Sequence, residues 1–381
     1  MRSFHATSCR LIGFASAFFM LTVPASAPAG AATSPSSIWH ITPTPNIGPL
    51  GTLASVRVLS SSDVWAVGFS RPGTVYKTLA EHWDGSSWSV VATPNVGANW
   101  NFLESIGGIS SNDLWAVGRF FDGSSLRALA EHWNGSNWSV VPTPVVGTGD
   151  NALQGVTPVS GDDVWAVGYT HPGGNFKTLT EHWDGSAWTV VPSPNRLHEG
   201  NLAAVTAVSS NDVWAVGASG GEDVTLAEHW NGSAWSIVPT PNFGESGFSG
   251  VAAASSADVW AVGFRESGTK TLAEHWDGSR WSAVGTPNSG SGTNNVLTGV
   301  AVLSSTDVWA AGFSLQSGAL AQTITERWNG SAWHTFVSPN AGDTAQLLAV
   351  DGLAVGTLWA VGDFAKAGQY AQALAMTTNR G

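Results

Sequence analysis

DVWAVGF at 63–69, followed by LAEHWDGSSWSVV at 79–91, is the stretch on which the fold turns, because both parts recur along the whole chain. WAVG occurs six times, and a seventh copy, at Trp309, reads WAAG. The seven leading tryptophans are Trp65, Trp115, Trp165, Trp214, Trp260, Trp309 and Trp359, spaced by 50, 50, 49, 46, 49 and 50 residues. A fixed period near fifty marks a solenoid, a propeller or an array. Length alone would divide 381 residues into two or three domains, but a repeat adds each unit to one continuous core.

One unit reads outward from Trp65. Upstream, Leu53 to Leu59 is a short segment rich in small residues, closed by the turn-forming cluster Ser60-Ser61-Ser62-Asp63. Val64 to Phe69 is an apolar run of strand length. Tyr76 to Trp83 places Leu79, Glu81 and Trp83 on one side and Ala80 and His82 on the other. Asp84-Gly85 predicts a hairpin turn of the primed type, with positive φ at both central residues. Trp88 to Thr93 is the last strand, ended by Pro94. These are strands a, b, c and d. Four short strands in each of seven units predict an all-β, seven-bladed β-propeller with four antiparallel strands per blade.

The two ends predict how the ring closes. The strand-d tryptophan occurs seven times, as Trp39, Trp88, Trp138, Trp188, Trp235, Trp281 and Trp333, and the first copy precedes any WAVG. The last unit has its third strand at Ala373 to Asn379 and no fourth. Ile38 to Pro43 is therefore expected to complete the seventh blade, leaving no open edge. The propeller is expected over 38–381.

The order of apolar strand, glycine, variable loop, third strand, DG or NG turn and W-x-x-x-x-P resembles the kelch repeat. DVWAVGF stands where kelch has its glycine-ended strand, and LAEHWDGSSWSVV stands where kelch has its aromatic–turn–tryptophan segment. The similarity runs from Ile38 to the C-terminus. It departs in one respect, since kelch carries a double glycine and this chain has Gly68 and its equivalents alone. The chain thus resembles a kelch-like secreted bacterial propeller of a divergent type. That resemblance implies a shape rather than a reaction.

Residues 1–32 read as a secretory signal. Arg2 and Arg10 precede the apolar run Leu11 to Val23, and small-residue cleavage sites fall between 27 and 32. The run is too short to span a membrane, so the mature chain is expected to be extracellular and not membrane-inserted. The only cysteine, Cys9, leaves with the leader, which removes disulfides and thiolate chemistry. The net charge of −12 becomes −14 when Arg2 and Arg10 are lost. An acidic surface argues against nucleic acid.

The a–b and c–d connections lie on one face and scarcely vary between units. The b–c and d–a loops lie on the other and differ in every unit, which points to recognition there. The candidate ligand contacts on this variable face are Trp100, Asn101, Tyr76, Phe120, Phe121, His171, Phe176 and His198. Trp100 is the single tryptophan outside the repeat. The EHW element pairs a carboxylate with an imidazole five times, but adjacent strand residues point to opposite faces, so blade packing explains it. The repeated aspartates, such as Asp63 and Asp113, are turn formers before they are metal ligands. No P-loop and no H-E-x-x-H occurs, and no catalytic residue, metal or cofactor is assigned. The expectation is a monomeric, secreted binding module for a carbohydrate or protein partner. The alternative is an extracellular carbohydrate-active hydrolase or lyase at the channel mouth.

Overall fold

The structure, a computed structural model, describes residues 38–378 except 46, 197–198, 221–223, 289–293, 316–319 and 355. The expected signal at 1–32 lies outside the described residues. Seven separate four-stranded antiparallel sheets follow one another along the chain. The closing strand is β1 (Trp39–Thr42); blade 1 is β2 (Gly51–Ser60), β3 (Asp63–Ser70), β4 (Lys77–Trp83) and β5 (Trp88–Val91), which are strands a to d in that order. Strands a of successive blades touch in an unbroken circle that includes blades 7 and 1. This is the seven-bladed propeller.

Closure is as expected. β1 pairs antiparallel with Gln372–Thr378, the third strand of blade 7, with Trp39 opposite Thr378 and Thr42 opposite Ala375. Every blade thus has four strands, and the ring is latched by chain segments more than 300 residues apart.

Strand b reads as an uninterrupted apolar run because both of its faces are covered. Val64, Ala66 and Val67 are fully buried, and Trp65 nearly so. Trp65 and Val67 face blade 2, while Val64 and Ala66 belong to the interface with blade 7. The tryptophans carry the contact from blade to blade. Trp65 lies 4.9 Å from Trp133 and 5.9 Å from Trp138, and Trp165 lies 4.8 Å from Trp230 and 5.2 Å from Trp235. The ring closes with Trp309 edge-on to Trp39 at 5.7 Å and Trp359 edge-on to Trp88 at 5.0 Å. Offset and edge-on aromatic pairs add about 0.5–1.5 kcal/mol each beyond area burial.

The glycine of WAVG has a steric cause. A Cβ on Gly68 would stand 2.0 Å from the Thr52 carbonyl oxygen, and on Gly263 it would stand 1.9 Å from that of Gly247. The register of strands a and b slips here in every blade, between Leu53 and Ser55 in the first. Each slip is a β-bulge, which frees one residue of strand a from pairing and re-aims it.

The c–d turn differs from the sequence expectation. Trp83 pairs with Trp88, so the loop has four residues, Asp84 to Ser87, and only Gly85 has positive φ. The Asp84 carboxylate accepts hydrogen bonds from the backbone N–H of Ser86 and Ser87, at 2.8 and 2.9 Å. This Asx geometry lets an aspartate do what a primed turn would ask of a second positive φ. The Ser86 hydroxyl and these amides hold the Asp84 carboxyl down at about 2.

The repeated Asp63 is likewise more than a turn former. It opens strand b, and its Oδ1 lies 2.9 Å from His82 Nε2 on strand c. The His82 ring packs on Trp65 at 4.5 Å. The same Asp–His–Trp unit recurs at Asp113, Asp163, Asp212 and Asp258. In blade 6, Arg327 replaces the histidine, with Nε 2.9 Å from Asp307 and the guanidinium over Trp309.

Candidate functional site

Strand alternation separates the two halves of the EHW element. While His82 faces Trp65, the neighbouring Glu81 faces blade 7 and is fully buried. Glu131, Glu181, Glu228 and Glu274 are also fully buried, Glu326 nearly so, and Met376 holds the corresponding place in blade 7. Neither carboxyl oxygen of Glu81, Glu131, Glu181 or Glu274 has a hydrogen-bond partner. Burial pushes each of the six up to about 8. At neutral pH they are protonated, inter-blade and out of reach of a ligand. Glu81, Glu131, Glu181 and Glu274 make no inter-blade hydrogen bond, whereas the Ser193 hydroxyl of the preceding blade lies beside Glu228 as a donor.

The concave feature of the fold is the central channel, about 1420 Å³ in volume. Its wall is strand a of all seven blades, and the bulge residues Ala54, Glu104, Gln154, Ala203, Ser249, Thr298 and Leu348 form one ring around it. Each stands eleven positions before its strand-b tryptophan. The residue just after the bulge is small in every blade: Ser55, Ser105, Gly155, Ala204, Gly250, Gly299 and Ala349. A Cβ on Gly299 would meet Ala349 Cα at 3.0 Å, so small residues let the inner strands approach.

The channel wall is not symmetric. On the side of blades 1 and 2, Arg119 pairs with Glu104 at 2.8 Å and covers the Phe102 ring at 5.2 Å. Phe102 packs edge-on to Phe69 at 4.9 Å, and Tyr76 lies 5.4 Å from Phe102. In blade 7, the buried Asp363 accepts hydrogen bonds from Thr52 Oγ1 at 3.0 Å and Gln346 Nε2 at 3.1 Å. Burial raises the Asp363 carboxyl to about 6 against these two donors. Towards the regular face, Arg57 reaches both Asp351 at 3.6 Å and the Gly108 carbonyl at 3.1 Å, tying blades 7, 1 and 2.

The candidates read from the sequence form local pairs rather than one cluster. Trp100 is 47% exposed and stands 5.3 Å from Phe121 on the blade 2 rim. Asn101 is buried, and its amide is spent on holding the d–a loop: Nδ2 donates to Tyr76 O and Gly97 O, and Oδ1 accepts from Gly97 N. Tyr76 takes the Arg71 guanidinium on its hydroxyl at 3.2 Å. Phe120 packs on the core between blades 1 and 2. His171 stacks on Phe176 at 4.3 Å and bonds the Gly174 carbonyl within its own loop. His198 lies outside the described residues. Of the seven described candidates, Phe176 alone lines the channel.

The bulge ring escaped a reading that looked for function only in loops. Its signal is a column that varies inside an otherwise regular strand. GASGG at 217–221 spells G-x-S-x-G, but Ser219 is fully buried at the end of a β-strand, not on an exposed strand–helix turn. Among the described residues no group of three or more His, Cys, Asp or Glu is placed to hold a metal, and no helix is long and apolar enough to cross a membrane.

No family model matches the chain, and no curated protein matches it significantly. Solved structures do match its fold. YCF48 from Cyanidioschyzon merolae superposes with a TM-score of 0.58 at 13% identity, covering 90% of this chain and 99% of that one. A structure of YCF48 bound to D1 peptide gives a TM-score of 0.54 at 13% identity, covering 91% and 98%. At this identity the likeness is one of fold.

Proposed function

We propose that this protein is a secreted, monomeric binding module that takes a peptide segment of a protein partner at the variable-face mouth of its central channel. The observation that carries the reading is the ring of bulge residues: seven equivalent positions that line one channel are occupied by six different residue types. Packing explains the parts of the repeat that stay the same, and the channel wall is the part it leaves unconstrained. A similar propeller is known with a peptide bound, which favours a polypeptide over a sugar as occupant. Secretion is supported by the leader pattern at 1–32.

Peptide display selection against the mature protein, with a glycan array in parallel, tests this reading. Selected peptides should lose binding to a channel-filling variant, Ser249→Trp, that keeps its thermal transition. Glycan binding with no peptide enrichment would move the ligand class to carbohydrate. N-terminal sequencing of the exported chain locates the cleavage site, and light scattering gives the oligomeric state.

A further inference from the structure

Charge along the channel narrows the occupant further. Among the described residues, six carboxylates line it, Glu104, Glu199, Glu245, Asp343, Asp351 and Asp363, against two cations, Arg57 and Lys366. Glu104 is neutralised by Arg119 and Asp351 by Arg57. Among the described residues, no lysine or arginine is in ion-pair contact with Glu199, Glu245, Asp343 or Asp363. Glu199, Glu245 and Asp343 sit on three different d–a junctions, so they line the mouth from several sides rather than forming one patch. We infer that the channel mouth takes a basic, extended peptide segment, one carrying several lysine or arginine side chains; this rests on the peptide-binding reading above.

Three arguments converge on that class. A concave wall of one sign focuses its field and draws in the opposite charge. Phe176 and the exposed Tyr370 present their rings to the same channel, with Phe69, Phe264 and Phe313 buried in its wall. Aromatic faces accept ammonium and guanidinium groups and pack the methylene stems of both side chains. The protein already makes this contact internally, with Arg71 over Tyr370 at 4.9 Å. The channel volume of about 1420 Å³ exceeds the roughly 300–1,000 Å³ of a small-ligand pocket, so it suits a stretch of chain. Acidic peptides and anionic sugars meet unbalanced repulsion at the same rim.

The experiment uses three fluorescein-labelled nonapeptide pools of equal length, with Lys/Arg, Ser/Gln or Glu/Asp at alternate positions. Anisotropy is read against the mature protein and against Glu199→Gln/Glu245→Gln/Asp343→Asn. The expected result is binding of the basic pool alone, weakened roughly tenfold or more by the triple variant. Raising the salt from about 0.05 to 0.5 M should weaken it as well, a readout that does not depend on the variant folding. Equal or tighter binding of the neutral or acidic pool overturns this inference and leaves the peptide-binding reading standing. Binding of no pool overturns both.

Discussion

The buried glutamates make the propeller more stable in mild acid than at neutral pH, and a single substitution should show it. Glu131 is the clearest case. It is fully buried between blades 1 and 2, neither oxygen has a partner, and burial lifts it from 4.5 to about 8. Below pH 4.5 the carboxyl is neutral in the folded and unfolded chains, and stability is at its full value. Between 4.5 and about 8 the unfolded chain releases the proton that the folded chain keeps, so stability falls. Above 8 the loss levels off. Each unit of difference is worth 1.36 kcal/mol, so at pH 7 this one site costs up to about 3 kcal/mol. Glu131→Gln fills the same space without an ionisable group. Guanidinium unfolding followed by tryptophan fluorescence should give matched midpoints at pH 4.5 and a variant more stable by about 2–3 kcal/mol at pH 7. A variant equal to or weaker than the natural protein at pH 7 would refute the placement of a neutral carboxyl in this interface. Glu131→Met should behave like Glu131→Gln, because Met376 already occupies the seventh interface.

Other substitutions probe the remaining supports. Trp165→Ala removes a side chain 2% exposed that touches two tryptophans of the next blade, and should cost about 3–5 kcal/mol in denaturant unfolding. Trp39→Ala should cost as much although it lies near one end of the described chain, because it latches blade 7 against Trp309; a loss under 1 kcal/mol would argue against closure by β1. His182→Arg should be tolerated within about 0.5–1 kcal/mol, since Arg327 makes the same contact with Asp307, whereas His182→Ala should lose about 1–2 kcal/mol in the same assay. Gly168→Ala should abolish the soluble fold, because its Cβ would stand 2.0 Å from the Ala152 carbonyl oxygen, and soluble expression decides it.

The architecture was legible because packing repeats. Seven strand-b tryptophans and seven strand-d tryptophans fixed the blade count, and the offset of Trp39 from the first WAVG fixed the closure. The c–d turn was misread because DG is shared by two-residue primed turns and four-residue Asx loops, and only the Trp83–Trp88 pairing separates them. The site was less legible for a different reason. Asn101 and His171 look available in sequence, yet a loop's own carbonyls take their polar atoms. Glu104 and Gln154 look like ordinary strand residues until the bulge turns them to the channel. A bulge depends on pairing with the next strand, which no local pattern encodes. The glutamate of EHW shows the same limit: its fate is set by which neighbouring blade covers it.

Photo-crosslinking separates a ligand held in the channel from one held on the outer strands or the regular face. The tightest peptide from the display selection, carrying a benzophenone at its middle residue, is irradiated with the protein and the adducts are mapped by mass spectrometry. Adducts are expected on the bulge ring and its rim, at Gln154, Ser249 or Phe176. Adducts confined to the WDG and WNG turns or to the strand-d edges would contradict it.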